Sequence, residues 1–237
     1  MAVYEDFVNP FAEYLQGIYF LHAALDGSDL ERGRVALRKA AAIVRTNDFL
    51  LREAQLADQI ASGARVAPMT YVIFETGMGP RREQIRIDLP IFIFNIAVSD
   101  TQVDYVGMAF PVLRREESFV PFLRIDTPDG SVQTQIVADI DAVVAAEFKR
   151  ELPMVITKTI ASTAIKAALA YGASRATREN EWLNIATRIG TTIYQAAMNQ
   201  ADLRTWRTLP KQFQVAHVST PADRTLRLGL PSGALLP

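Results

Sequence analysis

A chain of 237 residues with 49% hydrophobic and 22% charged side chains has the profile of an ordinary folded protein, long enough for one large domain or two modest ones. Its 25 basic and 26 acidic residues give a net charge of -1 with the basic residues scattered, which argues against nucleic-acid or anionic-membrane binding through bulk electrostatics. The absence of cysteine removes disulfides, thiolate metal sites and cysteine nucleophiles together, and His22 and His217 are the only histidines available to a zinc site or a serine–histidine triad.

The opening MAVYEDFVNPF has neither the basic start nor the apolar core of a signal peptide. Asn9-Pro10 reads as a helix start, with asparagine as cap and proline in the first turn. Gly27 and Ser28 break the pattern. Ser28 or Asp29 then caps a second helix through Thr46, and Asn47 or Asp48 starts a third that stops near Gly63. Small and large residues are ordered across the first two helices as Tyr14-Leu15, Gly17, Phe20, then Gly33, Leu37 and Ala40. That order resembles one tetratricopeptide-like helix pair, in which small residues let two helices approach closely. A lone pair cannot bury both of its faces. It therefore packs on the rest of the chain, or belongs to a longer helical array of which residues 1–64 are the end.

Strand signals dominate residues 66–137. Residues 70–75 are apolar on both faces, which suits a central strand. Residues 83–89 alternate, with Ile85, Ile87 and Leu89 on one face and Gln84, Arg86 and Asp88 on the other. The link between them holds Gly77, Gly79 and Pro80, followed by Arg81 and Arg82. Its G-x-G lacks a third glycine and is followed by strand pattern, so no helix N-terminus is placed to hold a phosphate and a hairpin is the expected outcome. Residues 91–98 and 103–113 give two further strands, the second at an edge or bulged at Pro111. Thr127-Pro128-Asp129-Gly130 is a β-turn signal that joins residues 122–126 and 132–137 as an antiparallel hairpin.

Asp139 and Asp141 introduce a short helix over residues 140–152, where their carboxylates suit the positive end of the helix dipole, and capping outweighs metal binding because no third ligand stands beside them. Pro153 lets a second helix begin anew. That helix, residues 152–171, is apolar or small at most positions and is expected to be buried against the sheet at the centre of the domain. It has the length of a membrane span but carries Lys158 and Lys166 in its middle, which favours a buried soluble helix. Lys158, Ser162 and Lys166 fall at i, i+4 and i+8 as its polar line. The functional reading is a serine activated by lysine, or a basic notch for an anion, with Glu75 or Asp139 as a partner. The structural reading is that the lysines reach the surface or pair with carboxylates such as Glu75 or Glu147. The spacing S-T-A-I-K is one residue longer than the S-x-x-K of penicillin-binding enzymes. A further helix is expected over residues 179–200, and strands over 212–218 and 225–230 complete the sheet. His217, in an alternating strand, reads as a partly buried structural residue.

Taken in order, NPFAEYLQGIYF, ETGMGPRREQIRIDLPIF, AFPVL, DIDAVVAAEFKRELPMVITKTIASTAIKAALAY and DLRTWRTLPKQFQVA resemble an uncharacterised family of bacterial cell-envelope proteins. Its members are often predicted lipoproteins, with tetratricopeptide-like helices ahead of an α/β domain. The resemblance implies a periplasmic, outer-membrane-associated location and a binding or assembly role, with another envelope protein as partner and membrane attachment only through an N-terminal anchor missing from this sequence.

The combined expectation is an α+β protein: a helical segment over residues 1–64, then an α/β domain over 65–237 whose mostly antiparallel sheet packs on long buried helices. Its expected function is non-enzymatic, with no cofactor, no metal and no catalytic residue. Candidate binding residues are Glu75, Arg81, Arg82, Lys158, Ser162 and Lys166. The alternatives are a small hydrolase or ligand-binding protein that uses the Lys158, Ser162, Lys166 stripe, and lipid or glycan carriage in an apolar groove.

Overall fold

The computed structural model describes residues 9–90, 105–128, 130–176, 182–183, 185, 200–206 and 208–234. The chain forms mixed helices and antiparallel sheets, and it packs as two compact units. The first comprises Met1–Pro80, Arg115–Ala146 and Trp206–Pro237, and the second Arg81–Arg114 and Glu147–Thr205.

Three helices open the first unit. In α1 (Pro10–His22) the Asn9 side chain accepts from Phe11 N at 3.0 Å, which supplies a partner for one of the donors a helix start leaves open. The cap of α2 (Gly27–Ile43) is Asp26, whose carboxylate accepts from Ser28 N and Asp29 N, rather than Ser28 or Asp29 themselves. Asn47 caps α3 (Asp48–Ala61) and donates its amide to Ile136 O at 2.6 Å, so one side chain both starts the helix and ties it to a strand. The helices α1 and α2 run antiparallel in close contact. A Cβ on Gly17 would collide with Leu37 Cγ, and one on Gly33 would lie 2.9 Å from the Leu21 backbone nitrogen. Glycine is what lets these two backbones approach.

The sheet beneath them has the order β1-β7-β6, all antiparallel: β1 is Met69–Thr76, β6 Gln135–Asp139 and β7 Gln212–Ser219. Helices cover one of its faces. Phe213 stacks on Phe11 with ring centroids 4.3 Å apart, and Tyr14, Leu37, Leu50, Val137 and Val215 complete that core. The other face meets a second sheet, β5-β4-β8, formed by β4 (Arg124–Thr127), β5 (Gly130–Gln133) and β8 (Arg227–Gly229). There Ile125 packs with Ala216 and Val218. The strand covered on both faces is therefore β7, and β1 pairs with it alone among the described residues. The apolar pattern of β1 reflects two covered faces, with Tyr71 toward the helices and Val72 toward the second sheet, rather than a central place in the order. The hairpin across Thr127 and Gly130 forms, but the strand expected over 132–137 is split: β5 ends at Gln133, and residues from Gln135 onward join β7 in the other sheet. Of the two closing strands, β7 joins β1, whereas β8 adds to β4 instead.

Residues 115–123 hold no helix or strand, yet side chains fix them from several directions. Lys211 Nζ donates to Glu116 O at 2.8 Å, Thr76 to Val120 O at 2.7 Å and Gln214 to Pro121 O at 2.8 Å. Leu123 N donates to Thr134 Oγ1, which in turn donates to Gln214 Oε1. The buried ammonium of Lys211 also pairs with Asp141, in the first turn of the next helix.

In the second unit, β2 (Arg81–Pro90) and β3 (Tyr105–Arg114) form an antiparallel ribbon. The hairpin expected between β1 and β2 does not form, because β1 pairs with β7 and β2 with β3. The expected strand over residues 91–98 lies outside the described residues, as does most of the helix expected over 179–200.

The helix α4 spans Ile140–Ala176 without interruption. Asp139 caps it, its carboxylate accepting from Ala142 N at 3.0 Å. Two helices meeting at Pro153 were expected, but the proline sits inside one helix. The larger correction concerns burial. Past residue 146, Thr163 and Ala167 are the only buried residues on the described part of α4, while Met154, Ile165 and Leu169 are 63%, 62% and 69% exposed. The long helix over 152–171 is thus not a buried rod. By length and composition, Ile140–Leu169 would suffice to cross a membrane, with only 11% of its most apolar window buried. Composition measures how apolar a helix is and does not say what covers it.

Candidate functional site

The stripe expected to carry function lies on α4 in the second unit. Thr163 and Ala167 mark the covered side of that helix, and at 100° per residue the centre of the Lys158, Ser162, Lys166 line stands about 120° around from it. Lys158 and Ser162 are exposed and Lys166 is half-buried. The Ser162 hydroxyl donates to Thr159 O of its own helix at 3.2 Å, so it holds no proton-accepting side chain. Glu75 belongs to the first unit, where it is exposed on β1. Arg81 pairs with Glu83 at 2.9 Å. Arg82 pairs with Glu151 at 3.0 Å and places its guanidinium over the Phe148 ring, which ties β2 to α4 within the second unit.

A different set of polar groups converges in the first unit. The buried stripe of α3 reads Phe49, Leu50, Glu53, Ala57, so a carboxylate occupies a position that the helix repeat assigns to the core. Glu53 is 2% exposed. Tyr14, from α1, donates its hydroxyl to Glu53 Oε2 at 2.8 Å. From β7, His217 brings Nδ1 to 2.8 Å from Glu53 Oε1, an ion-pair distance with the N–H off the line of a well-directed hydrogen bond. Tyr71 sets its ring edge-on to both histidines, with centroids 5.8 Å from His217 and 5.3 Å from His22, and its hydroxyl lies 2.7 Å from His22 Nε2. The two histidines, 195 positions apart, thus stand on either side of one tyrosine.

The electrostatics follow from burial. The Glu53 side chain against its ring raises the His217 pKa above its ordinary value, against the opposing effect of desolvation. Burial, followed by the nearby Glu53 charge, pushes the Tyr14 hydroxyl well above the normal tyrosine range, so it stays a donor. Burial raises Tyr71 as well. The result is an acid held between a tyrosine hydroxyl and an imidazole.

A pocket of about 370 Å³ opens beside this network. Phe49, Leu56 and Val132 form its apolar wall, Arg52, Gln133 and Gln135 its polar rim, and His217 and Glu53 lie at its inner end. The histidine turns Nδ1 to Glu53, which leaves Nε2, the other ring nitrogen, for a bound group. Such a set can orient an imidazole and hold a proton. Among the described residues, no group of three histidine or acidic side chains could hold a metal ion. The sequence offered one signal for this site, the acid at the third position of the α3 core stripe. Nothing local to residues 14, 53, 71 or 217 indicates that they meet.

Comparison with protein-family models, with curated proteins and with solved structures finds no match.

Proposed function

We propose that the chain is a non-enzymatic bacterial cell-envelope protein that binds another protein or helps assemble one, acting in the periplasm in association with the outer membrane. The observation that carries this reading is the outward face of α4, where Met154, Ile165 and Leu169 stand exposed around Lys158. Exposed apolar side chains gathered on one helix face are a feature of contact surfaces. The lysine among them favours a partner with an apolar patch edged by acidic groups. The close α1–α2 contact through Gly17 and Gly33 supports the tetratricopeptide-like reading of the helical start, and the resemblance in sequence supports the envelope location.

The hydrolase alternative has less behind it, since Ser162 is hydrogen-bonded within its own helix and lacks an adjacent base. A photo-crosslinking residue at position 165, followed in cells by mass spectrometry, tests the proposal against the same residue at position 32, exposed on α2. An envelope protein captured at 165 and not at 32, and lost when Leu169→Asp is added, is the expected result. Equal labelling at both positions, or recovery of no envelope protein at 165, refutes it.

A further inference from the structure

The pocket between α3 and the strand ends of the first unit plays no part in the α4 proposal, and the charged side chain it presents to solvent is basic while its acid is covered. Glu53 lies against His217, the acid sealed at 2% exposed and the histidine side chain open at 29%. Arg52 is exposed on the pocket rim, close enough for its charge to act on His217, and no carboxylate pairs with it among the described residues. An incoming group therefore meets an uncompensated guanidinium and the outer edge of an imidazole. A cation seeking Glu53 finds the carboxylate covered, so the reachable charges select an anion.

The remaining lining narrows the class of ligand. Phe49, Leu56 and Val132 supply an apolar wall on one side, and Gln133 and Gln135 bring side-chain amides to the rim. A volume of about 370 Å³ stands near the lower end of the ~300–1,000 Å³ typical of small-molecule sites. We infer that this pocket binds the carboxylate of a small, partly apolar ligand, with the Arg52 guanidinium and the Nε2 edge of His217 as its anchors. A free acid and the C-terminus of a peptide present the same chemistry. In either case the carboxylate sits between the two nitrogen donors and the apolar body lies along Phe49 and Leu56.

The test uses the full chain, titrated by NMR with N-acetyl-leucine and the peptide N-acetyl-Ala-Ala-Leu, each as free acid and as C-terminal amide. Shifts at Arg52, Gln133 and His217 that saturate with an acid while its amide binds at least about tenfold more weakly are expected, since a charge-assisted hydrogen bond is lost. The acid that binds better names the source. Arg52→Gln, at an exposed position where folding is not at stake, should weaken the acid by about tenfold as well. Equal binding of acid and amide, unchanged affinity in Arg52→Gln, or no saturation by either acid at millimolar concentration overturns the assignment.

Discussion

The two units cover their strands differently. In the first, a single strand is covered on both faces: Phe213 and Val215 meet three helices, and Ala216 and Val218 meet a second sheet. Even the polar groups there are drawn inward and given partners, as with Lys211 and Asp141, Thr134 and Gln214, and Glu53 between Tyr14 and His217. In the second unit, Ile85 and Ile87 on β2 and Met154, Ile165 and Leu169 on α4 remain exposed. The same residue types thus serve as core in one place and as surface in another, Leu25, Val35 and Ile73 of the first unit being exposed as well, and local composition does not distinguish the two uses.

Substitutions should separate these roles. The largest loss is expected from Lys211→Met, which leaves the buried Asp141 carboxylate without its cation and should cost about 3–5 kcal/mol in urea unfolding. A change near zero would remove the claim that polar pairs hold the first unit. Next comes Tyr14→Phe, which deletes the hydroxyl bound to Glu53 and should cost about 1.5–3 kcal/mol by the same measurement. Gly17→Ala drives a methyl group against Leu37 and should lower stability by about 1–3 kcal/mol. If the melting temperature is unaffected, the α1–α2 contact is looser than described.

A smaller effect depends on pH. The folded His217 pKa is raised above the unfolded value of about 6.5, so its pairing with Glu53 contributes fully below that pH and is lost as pH rises through the folded pKa. The urea midpoint should fall as pH is raised from about 6.5. His217→Gln should remove that part of the slope, and an identical slope in the variant would show that another group titrates. The smallest effect is expected on α4, where Ile165→Gln should change stability by less than about 0.5 kcal/mol. A larger loss would mean that this side chain holds the fold, and the contrast between the units would fail.

Much of the helical start was legible in the sequence because its signals are local. Asn9-Pro10, Asn47 and Gly63 mark their boundaries by capping and turn chemistry, and Gly17 and Gly33 foretold a close helix contact. The Pro128–Gly130 turn was legible for the same reason. Partnership between distant segments was not. Residues 70–75 and 83–89 read as neighbours in one hairpin, but each pairs with a strand the turn between them does not specify. Burial of 152–171 was misjudged because alanine and threonine count as core-compatible wherever they stand. The candidate pocket was the least visible feature, since Glu53 takes its meaning from Tyr14 and His217, which come from elements far apart in the chain.

The place of β7 also sets an order in time. The strands β1 and β6 both pair with residues 212–219, so while a ribosome is still short of that stretch the helices α1–α3 have no Phe213 or Val215 to close against. Contacts such as Thr70 with Thr220, 150 positions apart, make closure a long-range event. The nascent chain must carry an open core until residues 212–219 emerge, and closure of the first unit should register as one step rather than a gradual consolidation.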